Sequence, residues 1–449
     1  MLPKATRRRF LKSSAAWAGI LVLPAASARG YAANEKLRLA CIGCGGMGYA
    51  DYQQIRSHGA VEIAALCDVD ANHLGHLQAA EPQAPAYADW RVLFDRESDR
   101  FDAVTVATPD HSHAGPVLAA LRRGKHVYCE KPLCHNVAEV RAVTRAAREA
   151  GVRTQLGTQG ASGAASRLAV RLVKDGVAGT VRRVAIRQHR PDAGNYRLEG
   201  PRPAQGAEPP EPLDWDLWLG PAPVRPYAPG IYHPALWRTW LDFGTGWLGD
   251  IGCHQLHFAW RALDWTAPID VVAQVEPSWR ASPARRADTW PRSAQVRWTF
   301  PGNQYTDGPI TLDWYDGDFP VDEELIEIVD HGEMQTSSAY VIGDEGTVCL
   351  DGSVRLFPHA KFEDHPRPQV EGGNHYHDFV DACLSGGATE SDFAHSGPMT
   401  EAVLVGTVAQ RVPDTLLEWD SAELAFTNSA EAQALVRRPY RQGWEIDGV

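Results

Sequence analysis

A glycine-rich stretch near the N-terminus constrains the fold of this chain more than any other feature. The apolar run at residues 37–42 predicts a buried parallel strand, and residues 49–57 predict a short helix. Between them, Gly43, Gly45 and Gly48 fit the pattern G-x-G-x-x-G in the strand–turn–helix setting that a dinucleotide-binding loop requires. Gly43 allows the tight turn, Gly45 lets the backbone approach a pyrophosphate, and Gly48 lets helix and strand pack closely.

An acidic residue follows the second predicted strand, which covers residues 61–67. A carboxylate at Asp68 can accept hydrogen bonds from both hydroxyls of an adenosine ribose, and it would repel a 2′-phosphate. The sequence therefore predicts NAD in preference to NADP, with Gly46 and Met47 also in the cofactor-binding loop. The alternative interpretation is an ordinary strand–turn–helix unit with an aspartate on its surface.

The first 33 residues predict an export signal and are excluded from the fold. Residues 6–12 read TRRRFLK, which fits the twin-arginine motif, and the apolar run at 15–23 is too short to span a bilayer. A small-residue cleavage site follows. Such a signal places the folded protein in the bacterial periplasm, so its cofactor is expected to be loaded before export. The alternative is a basic amphipathic N-terminal helix.

Length and composition limit the number of domains and the kinds of partner that the chain can have. A chain of 449 residues is too long for one ordinary domain, so two are expected after the signal. The formal net charge of −12 argues against nucleic acid and anionic membranes as partners. Of the eight cysteines, Cys41, Cys44, Cys67 and Cys129 fall in or beside predicted strands, which indicates small core side chains and no metal site.

Strands and helices alternate up to residue 158, and this predicts a doubly wound Rossmann domain over residues 34–158. Further strands are predicted at 101–108, 126–129 and 152–157, and helices at 71–80, 114–123 and 137–150. Ligands bind beyond the carboxyl ends of such strands. Thr108, His113, Glu130 and Lys131 lie at that edge and are predicted to contact the cofactor.

The alternation of predicted strands and helices ends after residue 158. Residues 191–235 are rich in proline, glycine and tryptophan and predict a long ordered loop. Strands without intervening helices predict a mostly antiparallel open sheet in a second α/β domain over residues 159–449. These strands are expected at 181–189, 271–276, 295–300, 310–315, 338–342 and 346–350, with helices at 168–175, 375–384 and 398–412.

Three motifs in this order resemble the Gfo/Idh/MocA oxidoreductases: the glycine loop, E-K-P at residues 130–132 and G-D-I-G-C-H at residues 249–254. Residues 213–220 and 428–444 are similar to the exported branch of that family. The resemblance implies a Rossmann domain followed by a domain whose open sheet forms one wall of the active site. It also implies a homo-oligomer packed through that sheet and a small carbohydrate as substrate.

The candidate catalytic residues are Lys131, Asp250 and His254. Asp250 and His254 are four residues apart and would share one face of a helix, where a carboxylate can orient an imidazole that acts as base. Lys131 could polarise the reacting oxygen. In the resembled family the matching residues form the catalytic group. The alternatives are a surface lysine, a helix-capping aspartate and a satisfied core histidine.

Weaker candidates complete the predicted site. His113 is expected near the nicotinamide ribose, or else it anchors a loop. Gln159 follows a strand end and could bind a sugar hydroxyl together with Asp250 and His254, or else it is a turn residue. Trp215, Trp218 and Trp237 could line a sugar site, although loop core is the simpler expectation.

The sequence as a whole predicts an NAD-dependent oxidoreductase acting on a CH–OH group of a sugar or polyol. Two alternatives stay open at this point. The first is net glycoside cleavage through transient oxidation by bound NAD, elimination and return of the hydride. The second is a non-catalytic sugar-binding protein that keeps NAD as a structural element.

Overall fold

A computed structural model of the chain describes residues 36–189, 194–196, 198–328 and 336–449. The export signal predicted for residues 1–33 lies outside the described residues. The described chain forms two sheets with helices around them, and the element labels below follow chain order.

The first sheet has six parallel strands. Its strands are β1 (Leu37–Ile42), β2 (Val61–Cys67), β3 (Ala86–Tyr87), β4 (Ala103–Val106), β5 (His126–Cys129) and β6 (Thr154–Leu156). Their spatial order, β3-β2-β1-β4-β5-β6, reverses direction at β1, which confirms the predicted doubly wound Rossmann sheet.

The helices between these strands follow local sequence signals. They are α1 (Gly46–Arg56), α2 (Ala71–Ala80), α3 (Trp90–Glu97), α4 (Ala114–Arg122) and α5 (Val137–Ala150). Asn136 caps α5 by accepting a hydrogen bond from the Glu139 N–H at 3.1 Å. Gly151 ends it with a φ of +62°, a left-handed conformation that favours glycine.

Strand β1 is buried on both faces, which explains its continuous apolar sequence. Leu37 and Leu39 point to the face covered by α1, while Ala40 and Ile42 point to the opposite face, where they join the main core. This alternation is the two-residue period of a strand. Because Ile42 is held in the core, the end of β1 and the start of the glycine loop have a fixed position.

The second sheet has nine strands and is mostly antiparallel, as predicted. Its strands are β7 (Val181–Gln188), β8 (Asp270–Val275), β9 (Ala294–Phe300), β10 (Thr306–Asp316), β11 (Ser337–Gly343), β12 (Thr347–Leu350), β13 (Val354–Phe357), β14 (Leu417–Asp420) and β15 (Ala425–Phe426). The order is β13-β12-β11-β7-β10-β9-β8-β14-β15, and β7 with β10 is the parallel pair within it.

Long helices cover one face of this sheet. The remaining helices are α6 (Ala164–Lys174), α7 (Trp215–Leu219), α8 (Gly246–Ala262), α9 (Pro277–Arg280), α10 (Pro283–Asp288), α11 (Glu323–Ile328), α12 (His359–Phe362), α13 (His375–Ser385), α14 (Phe393–Arg411) and α15 (Ala430–Ala434). Trp298 on β9 packs in the same core as α8 and α14, and its indole N–H donates to the Ala402 carbonyl at 3.0 Å. The opposite face carries charged side chains such as Arg183 and Asp313.

The C-terminal half also completes the first sheet. Phe379, Val380 and Cys383 on α13 pack with Leu37 and Leu39 of β1. Helix α14 packs against both α5 and α8. Helices α13 and α14 therefore join the two sheets, because both belong to the C-terminal half of the chain and both pack against elements of the N-terminal domain.

The eight cysteines are all buried and unpaired, which confirms that they serve as core side chains. In the part of the chain that the structure describes, no helix has both the length and the apolar character needed to cross a bilayer.

Candidate active site

The glycine loop has the geometry that its sequence predicts. Gly43 has a φ of +87°, and a Cβ there would lie 2.7 Å from the Ala107 carbonyl oxygen. A Cβ on Gly48 would lie 2.1 Å from the Gly43 carbonyl oxygen. Both positions therefore exclude any side chain, because the loop packs directly on the ends of β1 and β4. Gly46 and Met47 form the first turn of α1, where unpaired N–H groups can bind phosphates.

Asp68 lies beside this loop. Its carboxylate accepts hydrogen bonds from the Cys44 N–H at 2.7 Å and the Asp70 N–H at 2.8 Å. Burial raises the pKa of Asp68, while these two N–H groups partly offset that rise. The backbone thus holds the carboxylate at the end of β2, where a ribose-binding group is expected.

A histidine that the sequence analysis missed faces the loop. A Cβ on Gly45 would lie 2.4 Å from His73 Nδ1, and the same nitrogen lies 3.8 Å from an Asp68 oxygen. His73 is on the first turn of α2, five residues after Asp68, and that position was the signal that could have identified it.

Asp70, His73 and His233 bring three potential metal-ligand atoms within 4.8 Å of one another. Hydrogen bonds account for Asp70, because one oxygen caps α2 at Asn72 and the other pairs with His233 Nε2 at 2.8 Å. The prediction that the protein has no metal site stays a prediction.

Thr108 and His113 lie beyond the end of β4. The His113 ring is buried, with Nε2 2.7 Å from the Thr108 carbonyl and Nδ1 2.8 Å from the Pro132 carbonyl. Burial lowers the pKa of His113, and a neutral imidazole can donate to only one of these two carbonyls at a time. This geometry is that of the loop-anchoring alternative, and direct cofactor contact by His113 stays a prediction.

Glu130 is buried at the end of β5 in a hydrogen-bonded group. Gln159 Nε2 donates to Glu130 at 2.7 Å and to the Tyr128 hydroxyl at 3.1 Å. Burial raises the pKa of Glu130 to about 6, although the neighbouring Lys131 charge acts in the opposite direction. The Gln159 amide nitrogen is thus committed to protein groups, while its predicted contact with substrate remains untested.

Lys131 and Asp250 form the ion pair at the centre of the site. The Lys131 ammonium lies 2.5 Å from Asp250 Oδ1, and both side chains are nearly buried. Burial alone would lower the pKa of Lys131, but the charges of Asp250 and Glu130 raise it. Burial alone would raise the pKa of Asp250, but Lys131 and Arg238 hold it well below its usual range. Both groups are therefore charged at neutral pH.

Two further residues contact Asp250 and were missed from the sequence. The Tyr196 hydroxyl donates to Asp250 Oδ2, and Arg238 Nε lies 3.4 Å from the same oxygen. Burial, followed by the Asp250 charge, raises the pKa of Tyr196, so its proton is retained. Both residues come from the long loop region before α8, where the sequence has no regular period.

Asp110 follows β4, and its side chain contacts Thr245, the residue that precedes α8. Its carboxyl accepts hydrogen bonds from the Thr245 hydroxyl at 2.7 Å and the Thr245 N–H at 3.1 Å. Burial and the nearby Asp250 charge raise the pKa of Asp110 to about 7. The site therefore contains a carboxyl group that titrates near neutral pH.

His254 lies one helical turn after Asp250 on α8 and is half-buried. Its place on α8 agrees with the predicted shared face. Lys131, Tyr196 and Arg238 all contact the Asp250 carboxylate oxygens, so Asp250 fixes the positions of those three side chains. That Asp250 also orients His254 stays a prediction.

The three tryptophans of the long loop belong to a packed aromatic core. The rings of Trp215 and Trp218 stack with centroids 4.6 Å apart, and Trp237 lies in the same cluster. This is the loop-core arrangement, which was the simpler of the two expectations.

The residues of the N-terminal domain fit a dinucleotide. The glycine loop has no room for side chains where the phosphates would bind. Backbone N–H groups hold the Asp68 carboxylate in a position where it could bind a ribose. Lys131 and Asp250 lie at the same edge of the sheet. A buried ammonium at this place can stabilise negative charge that develops on a reacting oxygen. A half-buried imidazole nearby can accept a proton.

Two family models match the chain. The first, for an oxidoreductase family with an NAD-binding Rossmann fold, matches residues 37–158. The second, for the C-terminal α/β domain of the same Gfo/Idh/MocA family, matches residues 163–289. Together they cover more than half of the chain.

Individual relatives match shorter segments. An inositol 2-dehydrogenase of Rubrobacter xylanophilus is 36% identical over 120 residues, which are 26% of this chain and 33% of that protein. A glycosyl hydrolase family 109 protein of Stenotrophomonas maltophilia is 33% identical over 135 residues, 28% of this chain and 29% of that protein. The matched segments thus span about a third of the length of these relatives.

Among solved structures, an inositol dehydrogenase homologue of Azotobacter vinelandii in complex with NADH and myo-inositol has a TM-score of 0.55. Its sequence is 18% identical, and the match covers 86% of this chain and 98% of that chain. At this identity the likeness shows the shared fold.

Proposed function

Since the chain belongs to the Gfo/Idh/MocA oxidoreductase family and carries its NAD-binding Rossmann domain, we propose that it is a sugar or polyol dehydrogenase. The reaction takes a hydride from a secondary alcohol carbon and a proton from its hydroxyl group, which leaves a carbonyl. Bound NAD supplies the hydride acceptor. The observation that carries this proposal is the buried Lys131–Asp250–Tyr196 group at the carboxyl edge of the parallel sheet.

Each side chain has a separate task in this proposal. The Lys131 ammonium donates a hydrogen bond to the substrate oxygen and stabilises the negative charge that develops there. Asp250 holds that ammonium in place and keeps it charged. His254 accepts the hydroxyl proton, a role that a neutral imidazole can perform.

The experiment uses protein as purified, with no nicotinamide added. A panel of sugars and polyols is mixed with the protein while the absorbance of reduced nicotinamide is recorded. The dehydrogenase predicts that one class of substrate raises this absorbance and yields a ketosugar. Lys131→Met should lower the rate at least about 100-fold, a typical size for the loss of an acid–base or charge-stabilising group.

The matched control is Lys174→Met. Lys174 lies 2.7 Å from Asp264 in an exposed pair, so the same substitution is made outside the site. A Lys131→Met protein that folds and turns over like the Lys174→Met protein would refute the proposal. Sugar binding with no change in nicotinamide absorbance would favour the non-catalytic alternative.

A second candidate is redox-neutral cleavage of a glycoside, in which a hydride is removed, the aglycone leaves together with a proton from the carbon beside the new carbonyl, water adds to the resulting double bond, and the hydride is returned. The similarity to a glycosyl hydrolase family 109 protein favours it. Mass analysis distinguishes the two reactions. A cleaved glycoside of unchanged oxidation state supports this candidate, and a ketosugar supports the dehydrogenase.

We also propose that the protein is exported to the periplasm through the twin-arginine motif in residues 6–12. Replacing Arg7 and Arg8 together by lysine keeps the charge and removes the motif. The variant should remain in the cytoplasmic fraction, while the unchanged protein is recovered from the periplasm. Equal periplasmic amounts of both would contradict this proposal.

A further inference from the structure

A cavity of about 280 Å³ lies beyond the carboxyl ends of β2 and β4. Val69, which follows the ribose-binding Asp68, lines one side, and Thr108 and Pro109 line another. A ribose held by Asp68 would place its attached base beside Val69. The cavity is therefore where the adenine ring of NAD would lie.

The cavity is lined by groups that suit a flat aromatic ring. Trp90, Trp218 and Trp444 all line it, together with proline side chains. The Thr108 hydroxyl oxygen is buried and has no hydrogen-bond partner among the described residues, so it offers a polar contact in a mostly apolar space that Arg91, Arg122 and Arg123 also line. Stacking on tryptophan and one polar contact are what an adenine base requires.

One wall of this cavity comes from the last residues of the chain. Residues 443–447 line it, and they lie beyond the residues that the two family models match. The Arg91 guanidinium, from the start of α3, lies 3.9 Å from the Trp444 ring centroid. On this side the cavity is thus bounded by a contact between the N-terminal domain and the C-terminus.

Hydrogen bonds attach this C-terminal segment, residues 437–449, at several points. Arg441 pairs with Asp216 and donates to the Gly220 carbonyl at 2.9 Å, which joins the segment to the loop that carries Trp218. Arg122 on α4 donates to the Asp447 carbonyl, and Arg145 on α5 donates to the Gly448 carbonyl at 3.1 Å. The segment is therefore bound on both sides of Trp444.

We propose that the C-terminal segment forms one wall of the adenine subsite, that Trp444 packs against the adenine ring, and that NAD is released only when this segment detaches. The inference rests on NAD binding by the N-terminal domain, and it does not depend on which reaction follows. A cofactor enclosed in this way would exchange slowly with free nucleotide.

The test is the exchange of bound NAD for isotope-labelled NAD, followed by mass spectrometry on the protein as purified. Trp444→Ala should speed this exchange at least about tenfold, because stacking of a base on an aromatic side chain contributes about that factor or more to binding. Trp444→Phe keeps a ring and should restore most of the slow exchange. Gln442→Ala, at an exposed position of the same segment, should exchange like the unchanged protein.

A second measurement separates the adenine end from the rest of the cofactor. ADP-ribose, which contains the adenosine half, should bind Trp444→Ala about tenfold more weakly than it binds the unchanged protein. Equal exchange rates in the Trp444→Ala and unchanged proteins would overturn the proposal. Equal losses in Trp444→Ala and Trp444→Phe would also overturn it, since they would show a general structural effect. If the unchanged protein neither contains nor takes up NAD, the proposed function fails together with this inference.

Discussion

The ion pair of Lys131 and Asp250 should be strongly coupled in the stability of the fold. The two side chains are 13% and 10% exposed, and their charged atoms are 2.5 Å apart. Asp250→Asn removes the nearest opposing charge from both Lys131 and Arg238 in a buried place, and we expect it to cost about 3–5 kcal/mol. Lys131→Met should cost less, because Arg238 and Tyr196 still contact Asp250.

The double variant lacks both charges, so its cost should be smaller than the sum of the single costs. At an effective dielectric constant of about 20, two unit charges about 4 Å apart interact by about 4 kcal/mol, and we expect a coupling energy of about 2–4 kcal/mol for this pair. Urea unfolding of the four nucleotide-free proteins measures it, and removal of the cofactor avoids linkage to binding.

Lys131 and Asp250 should themselves keep their charges between about pH 5 and 9. The pKa of Asp250 is lowered, so its contribution is present above the ordinary value of 3.8 and is lost as the pH falls below that. The pKa of Lys131 is raised, so its contribution is present below the ordinary value of 10.5. Neither group changes charge in the window between these values.

Lys174 and Asp264 provide a matched control. This pair is also Lys–Asp, at 2.7 Å, and Asp264 also accepts a hydrogen bond from a tyrosine, Tyr305. The side chains are 36% and 51% exposed, so a coupling below about 1 kcal/mol is expected. If the Lys131–Asp250 cycle gives no more coupling than this exposed pair, the reasoning about a buried charged group is refuted.

Three other substitutions test the cofactor site and its titration. Gly48→Ala places a Cβ 2.1 Å from the Gly43 carbonyl oxygen, so it should displace the loop and weaken NAD binding at least about tenfold in a binding titration. Asp68→Asn removes the charge that opposes a 2′-phosphate, and competition binding should show about a tenfold shift in preference toward NADP. The pKa of Asp110 is raised to about 7, so the folded protein holds this proton more tightly than the unfolded chain does. As the pH rises from 4 to 7, the unchanged protein should therefore lose up to roughly 4 kcal/mol of stability from this group. Asp110→Asn should lack that loss when unfolding is compared at pH 5 and pH 8, and an unchanged pH dependence would contradict the assignment.

Local sequence signals predict the elements of the first sheet well. Helix α2 has the predicted bounds, and α5 begins at Asn136 and ends at Gly151 as expected, because capping residues and glycine act within one helical turn. Helix α14 shows the limit of such signals. Pro398 indicates a helix start, but the helix begins at Phe393, where Asp392 caps it by accepting from the His395 N–H at 2.9 Å.

The residues of the candidate site also fall into two groups, those that the sequence predicts and those that it does not. Motif spacing places Lys131 and Asp250 at one edge, and the structure brings their side chains into contact. Tyr196 and Arg238 lie in a stretch without a regular hydrophobic period, so only the folded chain reveals that they contact Asp250. His73 contacts the loop from the first turn of α2, and its position five residues after Asp68 was the only signal that the sequence offered for it.

Helix α13 has a consequence for how the protein is made. It supplies Phe379, Val380 and Cys383 to the core on one face of the parallel sheet, although it follows β1 by more than 300 residues. During synthesis the N-terminal domain leaves the ribosome first. The part of its apolar face that α13 packs against then has no cover until most of the chain has been translated. The NAD-binding domain is therefore expected to complete its fold near the end of translation, and a fragment containing it alone should be prone to aggregation.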